Sequence, residues 1–257
     1  LGAHDMLVSW TMASFGRLDE AEAAARSSIE RFDAVGEVLL VVNALNALAG
    51  IIAAKGDIEG ASVAYEVLLR RCRNTREHLY LNTALVALAV LRARQGDDAA
   101  ADDLYQEAID CSFNPWLSAD AIVGQAAVAR RLGDLTRAKR LLDTAADRYR
   151  DADIPAGRPR VLAGLAWWAL GADQPDAAAI FAEDAVRAAG ALADPETQLL
   201  AESALAATKA IADPTQREAA DNFIALAQHR TQGPAHRSLT DEPDLLALAA
   251  RLEPVAT

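Results

Sequence analysis

Apolar residues return along this chain with helical spacing. Leu45, Leu48, Ala49 and Ile52 fall at i, i+3, i+4 and i+7, one stripe of a helix, and Ala61, Tyr65 and Leu68 resume the stripe after a short polar break. The break itself recurs. It reads Gly16-Arg17-Leu18-Asp19-Glu20-Ala21, Gly56-Asp57-Ile58-Glu59-Gly60-Ala61, Gly96-Asp97-Asp98-Ala99-Ala100-Ala101 and Gly133-Asp134-Leu135-Thr136-Arg137-Ala138. Weaker copies follow at Ala172-Asp173-Gln174-Pro175-Asp176-Ala177 and Pro214-Thr215-Gln216-Arg217-Glu218-Ala219. Anchored on the last Ala, the spacings are 40, 40, 37, 39 and 42 residues.

Each period therefore predicts one helical hairpin. Gly suits the left-handed residue that ends a helix, and the Asp or Thr shortly after it can accept from the free N–H groups opening the next. A bulkier residue four after the anchor recurs as Tyr65, Tyr105, Leu142, Phe181 and Phe223. A small residue one turn from a large one on the same face lets two helices approach at one level and interlock at the next. Composition agrees: 60 of 257 residues are Ala and only 5% are aromatic, which favours close-packed helices over strands.

This pattern resembles the tetratricopeptide repeat family, through the Gly-Asp-x-x-x-Ala turn and the large residue four after the Ala. The likeness covers residues 1–229. It departs from the family in a period near 40 against the usual 34 or so, and in Leu and Ala where Trp and Tyr are common on the first helix. Longer, Ala-rich repeats resemble the arrays that follow the ATPase domain in large bacterial transcription regulators of the maltose-regulon-activator and AfsR types. The fold implied is all-α: a right-handed superhelical solenoid of about six antiparallel hairpins. Residues 230–243 read as a loop or linker and 244–257 as a C-terminal capping helix and tail.

In such an array the first helices line a concave surface. The family's concave positions fall on Asn43 and Asn46, then Asn82, Thr83 and Arg94, then Asp120, Arg130 and Arg131, then Arg158. Asn offers a donor and an acceptor to a peptide backbone, and Arg grips a carboxylate or phosphate with two parallel bonds. The structural alternative is that an Asn near a helix start caps it and Arg130-Arg131 complements a helix dipole. Of the pair Trp167-Trp168, Trp168 occupies the family's core aromatic position, so Trp167 must point elsewhere and joins the candidates. Trp116, after Pro115 at a helix start, packs on the preceding loop.

The net charge of −12 disfavours direct binding to nucleic acid. Residues 126–160 nevertheless hold 9 basic and 5 acidic residues, a basic island able to recruit an acidic segment or a small anionic effector. Cys72 and Cys111 lack metal-ligand spacing, and no apolar run reaches the roughly 20 residues of a membrane span, which points to a cytoplasmic chain without a membrane partner. His4, His78, His229 and His236 form no metal motif, and phosphate, dinucleotide and nucleophile-elbow motifs are absent, so neither cofactor nor catalysis is expected. The chain begins at Leu1 and not Met, which suggests a piece of a longer protein. The reading is a non-catalytic module of a bacterial signalling or transcription regulator, sensing a peptide, protein segment or small effector. A constitutive, self-associating assembly scaffold is the alternative, and a helical enzyme using the Trp pair and acidic clusters a third.

Overall fold

A computed structural model of the chain describes residues 1–75, 77–192, 195–212 and 220. Its helices among these residues are α1 Gly2–Ser14, α2 Leu18–Ala34, α3 Val38–Ala54, α4 Ile58–Thr75, α5 His78–Arg94, α6 Asp98–Cys111, α7 Pro115–Arg131, α8 Leu135–Asp151, α9 Gly157–Gly171, α10 Pro175–Gly190 and α11 Pro195–Ala212. No strand occurs among the described residues. Leu1–Leu91 form one compact unit and the described residues from Arg92 onward a second, with the boundary inside α5. In the first unit α1, α2, α3 and α4 pack in succession, and α1 also touches α3. In the second, α6 to α11 pack in succession, while α7 touches α9 and α9 touches α11. Contact with the next helix and with the equivalent helix of the next hairpin defines an all-α helical-repeat solenoid. The expected linker at 230–243 and helix within 244–257 lie outside the described residues.

The repeat length follows from helix length. α6 has 14 residues where α2 has 17, and the three missing residues separate the period of 37 from those of 40. Helix ends follow the turn chemistry. Gly16, Gly56, Gly96 and Gly133 take φ between 74° and 83°, where a side chain would be strained. Behind Gly96 and Gly133 the next N–H reaches back to close the helix, from Asp97 to the Arg92 carbonyl and from Asp134 to the Ala129 carbonyl, both at 2.9 Å. Asp57, Asp97 and Asp134 then cap α4, α6 and α8 by accepting from Gly60, Ala100 and Arg137 N–H groups.

The fifth copy corrects the sequence reading by one residue. The left-handed place is held by Asp173, with φ 58°, and not by Ala172, whose φ is −88°. Gln174 N–H closes α9 on the Ala169 carbonyl at 2.9 Å, as its counterparts do after Gly96 and Gly133. Asp tolerates the left-handed region better than most residues, which is why a Gly is dispensable here. The buried anchor is accordingly Ala178 and not Ala177, and the residue four after it is Ala182, while Phe181 is only half-buried. Counting from the left-handed residue, Ala49, Ala89, Ala126 and Ala166 share one register and all are buried. The sixth anchor, Ala219, lies outside the described residues, as does Phe223. Placing Val at Asp173 should cost about 1–2 kcal/mol, and the same change at Ala172 markedly less. Denaturant unfolding of the two variants checks the register.

Small against large sets the helix spacing. Gly124 of α7 faces the Tyr105 ring of α6, Gly164 of α9 faces Leu142 of α8, and Gly157 of α9 faces the Tyr149 ring of α8. A Cβ at any of the three would lie within 2.6 Å of its neighbour, so these rings and branches occupy the room a side chain would need. The tryptophan pair reverses the sequence expectation. Trp167 is the more buried, at 6% exposure, whereas Trp168 is half-buried and donates from Nε1 to the Leu135 carbonyl at 2.9 Å. No helix among the described residues is long and apolar enough to cross a membrane.

Candidate functional site

Polar side chains on otherwise apolar first helices are the places to look, because a buried polar group costs stability unless it is paired. Helix α3 reads Val-Leu-Leu-Val-Val-Asn-Ala-Leu-Asn-Ala-Leu, with nine buried residues, and Asn43 and Asn46 stand on it one turn apart. Asn43 is half-buried and Asn46 is 8% exposed. Neither amide makes a side-chain hydrogen bond to the described residues. Both lie within the helix, away from its first turn, so neither serves as an N-cap. On α5, Asn82 is 2% exposed and Thr83 half-buried, but neither of these is free.

The candidates of the second unit are mostly engaged in holding helices together. Arg131, at the end of α7, donates from Nε and Nη2 to Asp98 of α6 at 2.9 and 2.8 Å. Arg137 of α8 makes two bonds of 2.9 Å to Asp102 of α6. Arg130 lies over the Trp167 ring, 5.6 Å from its centre, a cation–π contact that joins α7 to α9. The Trp167 indole N–H is buried without a hydrogen-bond partner among the described residues. Arg94 is half-buried, and burial lowers its pKa from the ordinary arginine value. Trp116 is exposed, and its backbone N–H donates to the Asn114 side chain that caps α7.

Asp120 of α7 sits between two donors. The Tyr149 hydroxyl of α8 donates to it, and Arg160 of α9 approaches at 3.4 Å. Burial lifts the Asp120 carboxyl above its ordinary range, against the downward pull of Arg160 and the Tyr149 bond. Burial, with the Asp120 charge beside it, also raises the Tyr149 phenol. A phenol held protonated and donating is a fixed strut across three helices, not a proton shuttle at neutral pH.

The basic island is therefore largely neutralised by its neighbours. Arg131, Arg137 and Arg160 meet Asp98, Asp102 and Asp120, all outside 126–160, while Lys139 and Arg150 pair within it with Asp143 and Asp147. Arg148 donates to the Ser118 hydroxyl at 2.6 Å. Arg140 and Arg158 make no side-chain bond or ion pair among the described residues.

The corrected register sets Arg158 fifteen residues before the left-handed Asp173, clear of the position thirteen before it that Asn43, Thr83 and Asp120 share in their own repeats. Arg160 holds it instead, thirteen residues before the left-handed Asp173, as Asn43 precedes Gly56 and Asp120 precedes Gly133. Arg158 is exposed at the mouth of a pocket between the end of α8 and the start of α9. Sequence reasoning missed both Arg160 and this pocket. The signal for Arg160 was present: an Arg 40 residues after an Asp, one full period on. The described residues contain no cluster of three or more His, Cys, Asp or Glu side chains suited to a metal.

No protein-family model matches the sequence, and no curated protein matches it. Solved structures do. BtubC (BKLC) of P. vanneervenii is 21% identical, with a TM-score of 0.62, over 84% of this chain and 92% of its own. The apo quorum sensor NprR of B. thuringiensis is 16% identical, with a TM-score of 0.71, over 89% of this chain and 64% of its own. The signal transduction ATPase with a tetratricopeptide repeat sensor from Pyrococcus horikoshii is 14% identical, with a TM-score of 0.60, and matches 98% of this chain with 38% of its own. This chain thus corresponds to part of the last two proteins. The fold is that of a tetratricopeptide-like repeat array.

Proposed function

We propose that this tetratricopeptide-like array is a non-catalytic regulatory binding module that captures an extended protein or peptide segment, with Asn43 and Asn46 as its first contacts. The observation that carries the reading is the pair of unpaired amides one turn apart on α3. Asn43 is half-buried, and the Asn46 amide atoms are not sealed from solvent although the residue is 8% exposed, so both amides are open to a partner on an otherwise apolar helix. A peptide backbone supplies the donor and acceptor that each amide lacks. Thr83 holds on α5 the position that Asn43 holds on α3, thirteen residues before the turn Gly, but it and the neighbouring Asn82 are already engaged and stand outside the proposed first contacts. Asp120, Arg130, Arg131 and Trp167 leave the proposed contact set because each already braces its surroundings, and Arg94 leaves it because it too is already engaged.

The fold shared with a quorum sensor and with the sensor region of a signalling ATPase supports a sensing role in a signalling or transcription regulator. The test is to pan a random peptide display library on the chain and measure the affinity of the selected peptides. Asn43→Ala should weaken them about tenfold, the equivalent of one or two lost hydrogen bonds. A library that yields no binders, or binders indifferent to Asn43→Ala, would refute the reading.

A further inference from the structure

The pocket at the α8–α9 connection has a volume of about 400 Å³, at the small end of ligand sites. Its floor is apolar, formed by Ile154, Val161, Leu162 and Leu165. Its mouth carries two exposed, opposite charges, Asp153 and Arg158, neither of which makes a side-chain bond or ion pair among the described residues. The third charged group at the mouth, Arg150, is already tied to Asp147 at 2.6 Å.

The wall is held in place from behind. Asp153 turns the chain with φ 52°, and Ile154 N–H closes α8 on the Tyr149 carbonyl at 2.9 Å. The Tyr149 ring fills the space beside Gly157 and is anchored through its hydroxyl to Asp120. The turn and the Tyr149 wall are thus fixed by packing, with the exposed Asp153 and Arg158 side chains at the edge of an aliphatic floor.

We propose that this pocket binds a free apolar α-amino acid: the Arg158 guanidinium takes its carboxylate, the Asp153 carboxylate its ammonium, and Ile154, Val161, Leu162 and Leu165 its side chain. Charge complementarity selects this ligand over neighbours of similar size. A fatty acid could satisfy Arg158 but would bring no ammonium to Asp153, and a residue within a peptide carries neither terminal charge. The site belongs to the second compact unit, whereas Asn43 and Asn46 belong to the first, so it stands or falls separately from the peptide reading.

Isothermal titration of the intact chain with L-leucine, L-isoleucine, L-phenylalanine and L-tryptophan tests it, with N-acetyl-L-leucine, L-leucinamide and 4-methylpentanoate as the single-charge controls. At least one of the four amino acids should bind, and its own N-acetylated, amidated and deaminated forms should bind at least about tenfold more weakly, one charged contact being lost in each. Arg158→Gln and Asp153→Asn should each weaken the amino acid to the same degree while leaving the ligand-free melting temperature near that of the parent, since Asn also tolerates the left-handed turn. Failure of all four amino acids to bind at millimolar concentration would overturn the proposal. So would equal binding of the single-charge forms, or binding unaffected by both substitutions in folded protein.

Discussion

Gly124→Ala should destabilise the chain by about 1–3 kcal/mol, the usual cost of overpacking a well-filled core. Helix propensity alone argues the other way, since Ala in a helix interior is favoured over Gly by roughly 1 kcal/mol. Packing wins because the new Cβ would overlap the Tyr105 ring, which is 2% exposed and held in the core. Gly50→Ala is the matched control. Its Cβ would meet the Tyr65 hydroxyl at 3.8 Å, an ordinary contact, so here propensity should prevail and stability should hold or rise. Denaturant unfolding of the two variants reads both signs. Equal effects would mean that the Tyr105–Gly124 contact does not set the spacing of α6 and α7.

The hairpins, their turns and most of their length were legible in the sequence because each rests on local rules. Helical periodicity, a Gly able to adopt positive φ and an Asp cap act within a few residues, and four Gly-marked copies made them conspicuous. The fifth copy was misplaced by one residue because it has no Gly, and Ala172 and Asp173 compete for the same position until the closing bond from Gln174 to Ala169 is seen. That slip carried into the site. It shifted the row from Arg160 to Pro159, beside the candidate Arg158, and it made Phe181 the interlocking residue where Ala182 is buried.

The charges were harder to read for a different reason. Arg131 and Asp98 are 33 residues apart, and Arg137 and Asp102 are 35 apart. A window centred on the arginines counts the bases and leaves out the acids that neutralise them on the preceding hairpin. Complementary charges spaced by about one period are the usable signal in a repeat protein, since they meet when neighbouring hairpins stack. No such rule could have ranked Trp167 and Trp168, whose burial depends on which side of α9 meets α10 and which meets α8.

Asn46→Leu separates a binding residue from a packing residue by the sign of its effect. If the amide belonged to the packing, through a fit that the differently branched Leu cannot reproduce, the change would lower stability and leave binding untouched. If it is kept to hold a partner, Leu removes an unpaired polar group from a site that is 8% exposed, which should raise stability by about 1 kcal/mol. The same change deletes a donor and an acceptor that a peptide backbone would use, and should weaken binding at least about tenfold. The two readouts move in opposite directions, as stability and function do where a site is built at the expense of the core.

The most direct measurement is therefore the melting temperature and the peptide affinity of Asn46→Leu, taken side by side with the parent chain using peptides selected on the parent. A higher melting temperature together with lost affinity is the predicted result. A lower melting temperature with affinity unchanged would contradict the account and make Asn46 part of the packing.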